Sequence, residues 1–494
     1  MIRALSKSEL PIQVALTRDA PLHRQIYDWF RRAIIDGRLK PGQRVSSTRI
    51  LAGELGISRN PVLAAYDQLL AEGYFESFTG AGTCVARSIP EDGPQPVVPV
   101  SPELPVQSIA ARSRAGKISR RIAAVPETTD AWLQIMEPIR AGRPALDQFP
   151  YRIWSKLVNR HIRRSTQETL YYDDRMGYLP LREGLAEYLG VFRGVRCDAS
   201  QVLITTGPQQ GLQFCAQVLL DPGQPIWMEE PGCPGGRQAL TAVGLRLLPV
   251  PVDEEGLDVA RGIRTAPDAR GAFITPSHQM PFGVTMSASR RTQLLDWAVR
   301  EGAWILEDDY DSEYRFSGRA ITSLMGLDSN ARVVYVGAFG KSMFPALQLG
   351  YLVVPKDLIR PFAIARDAAA SYSSMLYQLV MTDFIREGHF ARHVRRTRTI
   401  YMEQRSTLVE AIRSFMPDTL EVVGDAAGTQ LTVLLPPGVD DVAVSQKAAQ
   451  KCLSVQPLSS CYIKPPARGG LILGYSGARI EEIPAAIQAL QRCI

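Results

Sequence analysis

The 494 residues are too many for one average domain and enough for two or three. Hydrophobic residues at 45% and charged residues at 21% match globular usage and exclude a disordered, collagen-like or coiled-coil chain. Lys and Arg outnumber Asp and Glu by 56 to 50, a formal charge of +6 that is unevenly spread. Residues 1–87 hold 12 basic against 8 acidic side chains, residues 88–125 hold 5 against 3, and the rest sum to zero, so an anionic polymer is expected to meet the first part only. No apolar run approaches the roughly 18 residues of a membrane helix, and the first twenty residues offer no continuous hydrophobic export segment; the expected compartment is the cytoplasm and no membrane partner is expected. The seven cysteines lack a C-x-x-C pair, so neither a zinc site nor a disulfide framework is indicated.

In chain order, Asp19 and Pro21 open a helix whose apolar residues Ile26, Trp29, Phe30, Ala33 and Ile34 recur at helical spacing until Gly37. A second helix runs from about Ser47 to Leu55, Gly56 and Ile57 turn the chain, and Ser58 caps a third helix that ends near Gly73. The run YFESFTGAGTCVA then predicts a glycine-tipped hairpin. Three helices with a tight turn between the last two, followed by a hairpin, spell a winged helix-turn-helix over residues 1–87. In that fold the third helix leads with Ser58, Arg59 and Asn60 toward base edges or phosphates. Ser47, Thr48 and Arg49 face the DNA backbone, and Gly80 and Gly82 let the wing tip approach closely. A small helical domain for protein contacts would share the geometry.

Six prolines between Ile89 and Pro105 and the basic run ARSRAGKISRR predict a linker over 88–126. From 127 to 494 short apolar strands alternate with helices: strands at 201–207, 225–232, 272–278, 304–311, 333–340 and 349–355, and helices at 208–220 and 289–301. Such alternation predicts an α/β domain with a mostly parallel sheet covered by helices on both faces and ligand groups at strand ends, plus a smaller αβ lobe from about residue 390.

The strings TTGPQQGL, EEPGCPGGR, TPSHQMPFG, EDDYDSEYRF and GAFGKSMFPALQLGY all fall at or just after strand ends. Singly, Lys341 reads as a solvated lysine, EDD as a charged strand end and His278 as a loop histidine. Together, a lysine, a carboxylate and a phenol at neighbouring strand ends are what a pyridoxal phosphate site requires.

The residues go further than their spacing. The segment from Tyr27 to Val85 closely resembles the winged helix of GntR-type bacterial transcription regulators, departing at Ser46 and Pro61, where proline and threonine are usual. Residues from about 130 onward resemble fold-type I aminotransferases, and TPSHQ, EDDYDSE and the Lys341 segment resemble the MocR/GabR subfamily, which joins both halves. The resemblance implies pyridoxal 5'-phosphate as cofactor, with Lys341 the Schiff-base lysine, Asp308 partner of the ring nitrogen and Tyr310 partner of the ring hydroxyl. It also implies that His278 and Gln279 line the ring-oxygen side and that Gly207, Gln209 and Ser342 meet the phosphate. Four positions depart: Cys233 replaces the ring-stacking tyrosine, Pro208 a residue with a backbone N–H, Gly340 a serine and Gln348 an arginine. Losing charge-assisted phosphate contacts weakens cofactor affinity.

The implied protein is a homodimeric regulator of a double-stranded DNA operator that senses pyridoxal phosphate or a small amine or vitamer effector, with the aminotransferase-like domain used as sensor. Two rival readings stand beside it: a working aminotransferase with an appended DNA domain, and a DNA-binding regulator whose degenerate body senses no pyridoxal phosphate and serves another ligand or dimerisation. For the enzyme, neither Arg468 nor Arg479, which flank LILGYSG, sits on a motif for a substrate carboxylate.

Overall fold

The computed structural model describes residues 20–78, 82–88, 118–126, 138–164, 174–316, 321–369, 372–417, 419–424 and 426–494. The chain divides into two compact units, Met1–Arg114 and Ala115–Ile494, with the division inside the segment read as linker.

In the first unit, α1 spans Leu22–Ile35, α2 Thr48–Glu54 and α3 Arg59–Ala71, followed by β1 Phe75–Phe78 and β2 Gly82–Val85. Ser47 caps α2 by accepting from Ile50 N–H, and Gly56 supplies the left-handed turn (φ +64°) before α3. The apolar faces meet in one core in which Phe30, Tyr66 and Phe75 pack edge to face, with ring centroids 5.1–5.5 Å apart. β1 and β2 pair antiparallel with Phe75 opposite Val85, which fixes the wing to that core.

The second unit opens with α4 (Arg120–Ala123), which falls inside the expected linker yet lies against the body: an added Cβ on Gly244 would meet the Arg121 side chain, and Gln238 donates to the carbonyl of Pro126. Next come α5 (Tyr151–Arg163), α6 (Leu179–Arg193), β3 (Val202–Thr205), α7 (Pro208–Leu219), β4 (Pro225–Glu230), α8 (Pro234–Ala242), β5 (Arg246–Asp253), β6 (Gly256–Leu257) and α9 (Val259–Thr265). Then follow β7 (Gly271–Ile274), α10 (Ala288–Glu301), β8 (Trp304–Asp309), α11 (Leu324–Leu327), β9 (Val333–Ala338) and β10 (Gly350–Val353). These strands form one sheet in the order β3-β10-β9-β8-β7-β4-β5-β6. It is parallel from β5 to β9, while β10 runs antiparallel to both its neighbours and β6 antiparallel to β5. Strands β3, β7 and β10 are buried along their whole length, and β4, β8 and β9 at all but one end residue, as expected of a sheet covered on both faces.

The sequence reading omitted β5, whose RLLPVPVD carries prolines at alternate positions; proline gives no ladder donor and masks the apolar run. Helices α12 (Ile359–Ala368) and α13 (Met375–Arg386) cover the sheet, and the 27-residue α14 (His389–Phe415) leads into the smaller lobe. There β11 (Glu421–Val423), β12 (Gln430–Leu434), α15 (Asp441–Gln450), β13 (Gln456–Pro457), β14 (Gly470–Gly474) and α16 (Ile483–Gln491) build an antiparallel sheet, order β11-β12-β14-β13, with its own core. Phe390 and Val394 of α14 are buried with the large lobe, whereas Tyr401, Leu408 and Ile412 belong to the core of the small one. The parallel register sends the C-terminal ends of β4, β7, β8 and β9 to one edge of the sheet, where the side chains described next converge.

Candidate functional sites

The winged helix brings the N-terminal ends of α2 and α3 side by side. Arg59 Nε donates to Thr48 Oγ1 at 3.1 Å, which joins the first residues of the two helices. Ser47, Arg49, Ser58, Arg59 and Asn60 are exposed, and Thr48 is half-buried. The Ser47 hydroxyl accepts from Ile50 N–H at 3.3 Å, while Ser58, at the start of α3, makes no side-chain cap. Gly82 takes φ +87°, and an added Cβ would come 3.0 Å from the Arg44 guanidinium; Gly80 lies outside the described residues. A surface of helix N-termini with a guanidinium among them has the chemistry to hold phosphate oxygens.

The second site lies at the carboxyl edge of the large sheet. Lys341 sits in the turn after β9, between Phe339 and Met343, whose side chains are buried and whose backbones are joined by a 2.8 Å hydrogen bond from Met343 N–H to Phe339 O. Its Nζ donates to Gly142 O at 2.9 Å, and Gly142, at φ +72°, leaves that approach open because an added Cβ would lie 2.0 Å from Nζ. Burial pushes the Lys341 amine below the usual lysine range, opposed by the negative charge of Asp311, a shift toward the neutral form that attacks a carbonyl. Asp308, at the end of β8, is buried and pushed up to about 7, first by burial and then by Asp309 and Asp311. Glu229, on β4, is likewise pushed up to about 7 by burial, although Thr275 and Gln279 donate to its Oε2.

Tyr310, His278 and Asp311 form a chain. His278 Nδ1 lies 3.0–3.1 Å from both carboxylate oxygens of Asp311 and 3.1 Å from the Tyr310 hydroxyl. A carboxylate only accepts, so Nδ1 carries the ring proton in neutral His278, and the Tyr310 hydroxyl keeps its own proton to give elsewhere. Burial holds that phenol well above its ordinary pKa, as a hydrogen-bond donor requires.

Lys341, Asp308, Tyr310 and His278 therefore converge. Cys233 joins them: burial and the charge of Asp308 push its thiol up to about 11, with Lys341 acting the other way. Gln279 is in the same wall with its amide committed, its Nε2 donating to Pro231 O (2.9 Å) and Met280 O (2.7 Å) and its Oε1 accepting from Phe282 N. Gly207 precedes α7 at φ +129° with open space where a Cβ would stand, and an added Cβ on Gly235 would meet Gln209 Nε2 at 2.5 Å. Ser342 is buried, and its Oγ has no hydrogen-bond partner.

These features fit pyridoxal phosphate at its ring end, and the orphaned Ser342 hydroxyl together with the open N-terminus of α7 fits a phosphate. Gln348 does not contribute: its side chain is exposed and donates back to Pro345 O. Arg468 is tied to Leu435 O and Glu421, and Arg479 is exposed beside Glu482; neither faces the site.

The sequence reading missed four members of the site. Gly142 and the neighbouring Arg140, whose charge reaches Lys341, come from a segment with no motif. Asp311 stood in plain view three residues after Asp308. Gln430, on β12, brings the small lobe to the site, its amide 2.9 Å from Met280 Sδ and its Oε1 3.8 Å from the position of a Cβ on Gly142.

Comparison with known proteins agrees with both halves. Residues 22–85 match the family model of bacterial regulatory proteins of the gntR family. The chain is 37% identical over 486 residues to the probable rhizopine catabolism regulatory protein MocR of Rhizobium meliloti, covering 97% of this chain and 95% of that protein. It is 28% identical to the pyridoxine biosynthesis transcriptional regulator PdxR of Corynebacterium glutamicum, covering 95% of each. Among solved structures, the α-aminoadipate aminotransferase LysN of Thermus thermophilus, complexed with N-(5'-phosphopyridoxyl)-L-leucine, superposes with a TM-score of 0.69 at 26% identity over 76% of this chain and 96% of that one. A gntR-type winged helix, an aminotransferase fold and full-length similarity to MocR together establish that the chain belongs to the MocR-type family of helix-turn-helix transcription regulators.

Proposed function

We propose that this regulator works as a homodimer, that Arg59, Asn60 and the residues around Ser47, Thr48 and Arg49 contact its operator, and that its large domain senses pyridoxal phosphate, an amine effector, or both, at Lys341. The observation that carries the reading is the buried, depressed amine of Lys341 facing Gly142 O beside Asp308 and Tyr310. When bound, the cofactor supplies an aldehyde that a neutral amine attacks and a ring nitrogen that takes a proton.

The residues of the chain prepare for that chemistry. Asp308 near pH 7 is poised to give or hold a proton at the ring nitrogen. The Tyr310 hydroxyl, whose proton the His278–Asp311 pair does not claim, would donate to the ring oxygen of a bound cofactor. Ser342 Oγ and the first turn of α7 would hold its phosphate. An effector amine competing for the aldehyde would release Lys341, and differential contacts in the two states would shift the conformational balance on which DNA binding depends. Two winged helices on two half-sites supply the affinity that one small domain lacks.

The test is the absorbance of the purified protein titrated with pyridoxal phosphate, beside Lys341→Ala, together with operator binding by both and by Arg59→Ala. A band above 400 nm that needs Lys341, and amine-dependent operator binding lost in Lys341→Ala, are expected. Arg59→Ala should weaken operator binding by about 10- to 100-fold and leave the band intact. Absence of the band removes pyridoxal phosphate from the reading. Steady release of a keto acid from an amino donor would instead make the protein an enzyme.

A further inference from the structure

A second cavity, of about 350 Å³, lies behind the Lys341 pocket, between α6, the Asp311–Arg315 turn and the start of α14. Neither Lys341, Asp308, Tyr310 nor Cys233 lines it; it shares with that pocket only the His278–Asp311 wall. Its volume falls within the range of small-ligand sites, and its floor is apolar, formed by Phe192, Ile321, Phe390 and Val394.

The polar groups are unevenly balanced. Arg193 is spent on Asp309, Ser277 and Ile321 O. Asp311 is spent on His278, and Glu313, which accepts from Tyr188, is pushed up to about 7 by burial. Against these stand three further guanidiniums. Arg315 holds Thr285 through one terminal nitrogen while its Nε is buried without a partner. Arg395 and Arg398 are exposed on α14 at the rim, and among the described residues neither makes an ion pair; Arg398 Nε donates to Glu313 O. The lining therefore has more positive charge than its own acids compensate, set around an apolar floor of the size of an aryl or short alkyl group.

We propose that this cavity is a second small-molecule site, which takes a carboxylate with an apolar body and is distinct from the site at Lys341. The carboxylate seats among Arg315, Arg395 and Arg398, and the body rests on Phe390, Val394 and Phe192. Occupancy adds a negative charge beside the Asp311 wall, and Asp311 is the strongest of the charges favouring protonated Lys341, so the two sites are electrostatically coupled. The proposal stands whether or not Lys341 holds a cofactor.

Isothermal titration of 3-phenylpropionate and of its neutral amide, 3-phenylpropanamide, into the full-length protein tests it. The acid is expected to bind one saturable site per chain and the amide not to bind. Arg395→Glu with Arg398→Glu should weaken the acid by about tenfold or more, whereas Lys341→Ala should still bind it at one saturable site. Ala391→Trp, at an exposed position on the lining, should abolish binding by filling the cavity without touching its charge. Equal heats for acid and amide, no saturable heat for either, or binding that survives the rim variants and disappears in Lys341→Ala would overturn the proposal.

Discussion

The Nζ of Lys341 and the carbonyl oxygen of Gly142 lie 2.9 Å apart across 199 positions of sequence, and an added Cβ on Gly142 would displace the amine from that position. Gly142→Ala puts a methyl group 2.0 Å from Nζ and forces an alanine to φ +72°. The variant should lose about 1 kcal/mol or more of stability and its Lys341-dependent absorbance with pyridoxal phosphate, while operator affinity without ligand stays as in the wild type. Thermal melts and the visible spectrum, recorded side by side, check both halves.

Asp308 and Glu229, each pushed up to about 7, bind protons in the folded chain that they release in the unfolded one between about pH 4 and 7. The folded state therefore holds more protons in this window, and each group's contribution to stability is lost as pH rises through its folded value. Lys341, depressed by burial, works in the opposite direction at higher pH, so a single substitution is more diagnostic than the whole curve. Asp308→Asn in the cofactor-free protein should melt progressively higher than wild type as pH is raised from 5 to 8, with a difference of about 3 kcal/mol at most. A gap that stays flat across that range would show that Asp308 ionises normally.

Two of the four positions that depart from the family pattern, Gly340 and Gln348, are sterically reversible. An added Cβ on Gly340 would meet nothing nearer than Pro345 Cα at 3.9 Å, and Gln348 is already exposed. Gly340→Ser with Gln348→Arg should fold normally and tighten pyridoxal phosphate by about tenfold or more, read from the cofactor concentration at half-maximal absorbance. Unchanged affinity would mean that the first turn of α7 and Ser342 suffice for the phosphate.

Beneath the site, buried Arg193 pairs with Asp309 at 2.6 Å, while the Tyr335 hydroxyl donates to the same carboxylate. Removing one charge leaves the other stranded, so Arg193→Met should cost about 3–5 kcal/mol in denaturant unfolding, and adding Asp309→Asn should recover part of it. The same loss from both single variants and the double variant would mark the three groups as one unit.

The winged helix was legible almost residue by residue because Ser47 caps α2, glycines stop the helices and an apolar stripe of Val62, Ala65, Tyr66 and Leu69 marks α3, although Ser58 does not make the cap expected of it. The large sheet was legible where strands are continuous apolar runs, such as Val333–Ala338, and illegible at Arg246–Asp253, where alternate prolines interrupt the run. Within the site, Lys341, Asp308 and Tyr310 announced themselves through their strings. Gly142 and Gln430 did not, because each acts by arriving from a distant segment, and a single chain read in order holds no sign of which distant carbonyl will meet a given amine.

Helix α14 gives this architecture a mechanical property of its own. At about 1.5 Å per residue its 27 residues make a rod roughly 40 Å long, anchored by Phe390 and Val394 in one lobe and by Tyr401, Leu408 and Ile412 in the other. The two lobes are thus threaded on a common axle. Any displacement of one lobe against the other would twist or bend that rod or turn one lobe about it. A spectroscopic ruler with labels at Lys156 and Glu481, both exposed and on opposite lobes, would read the rotation as a change of distance.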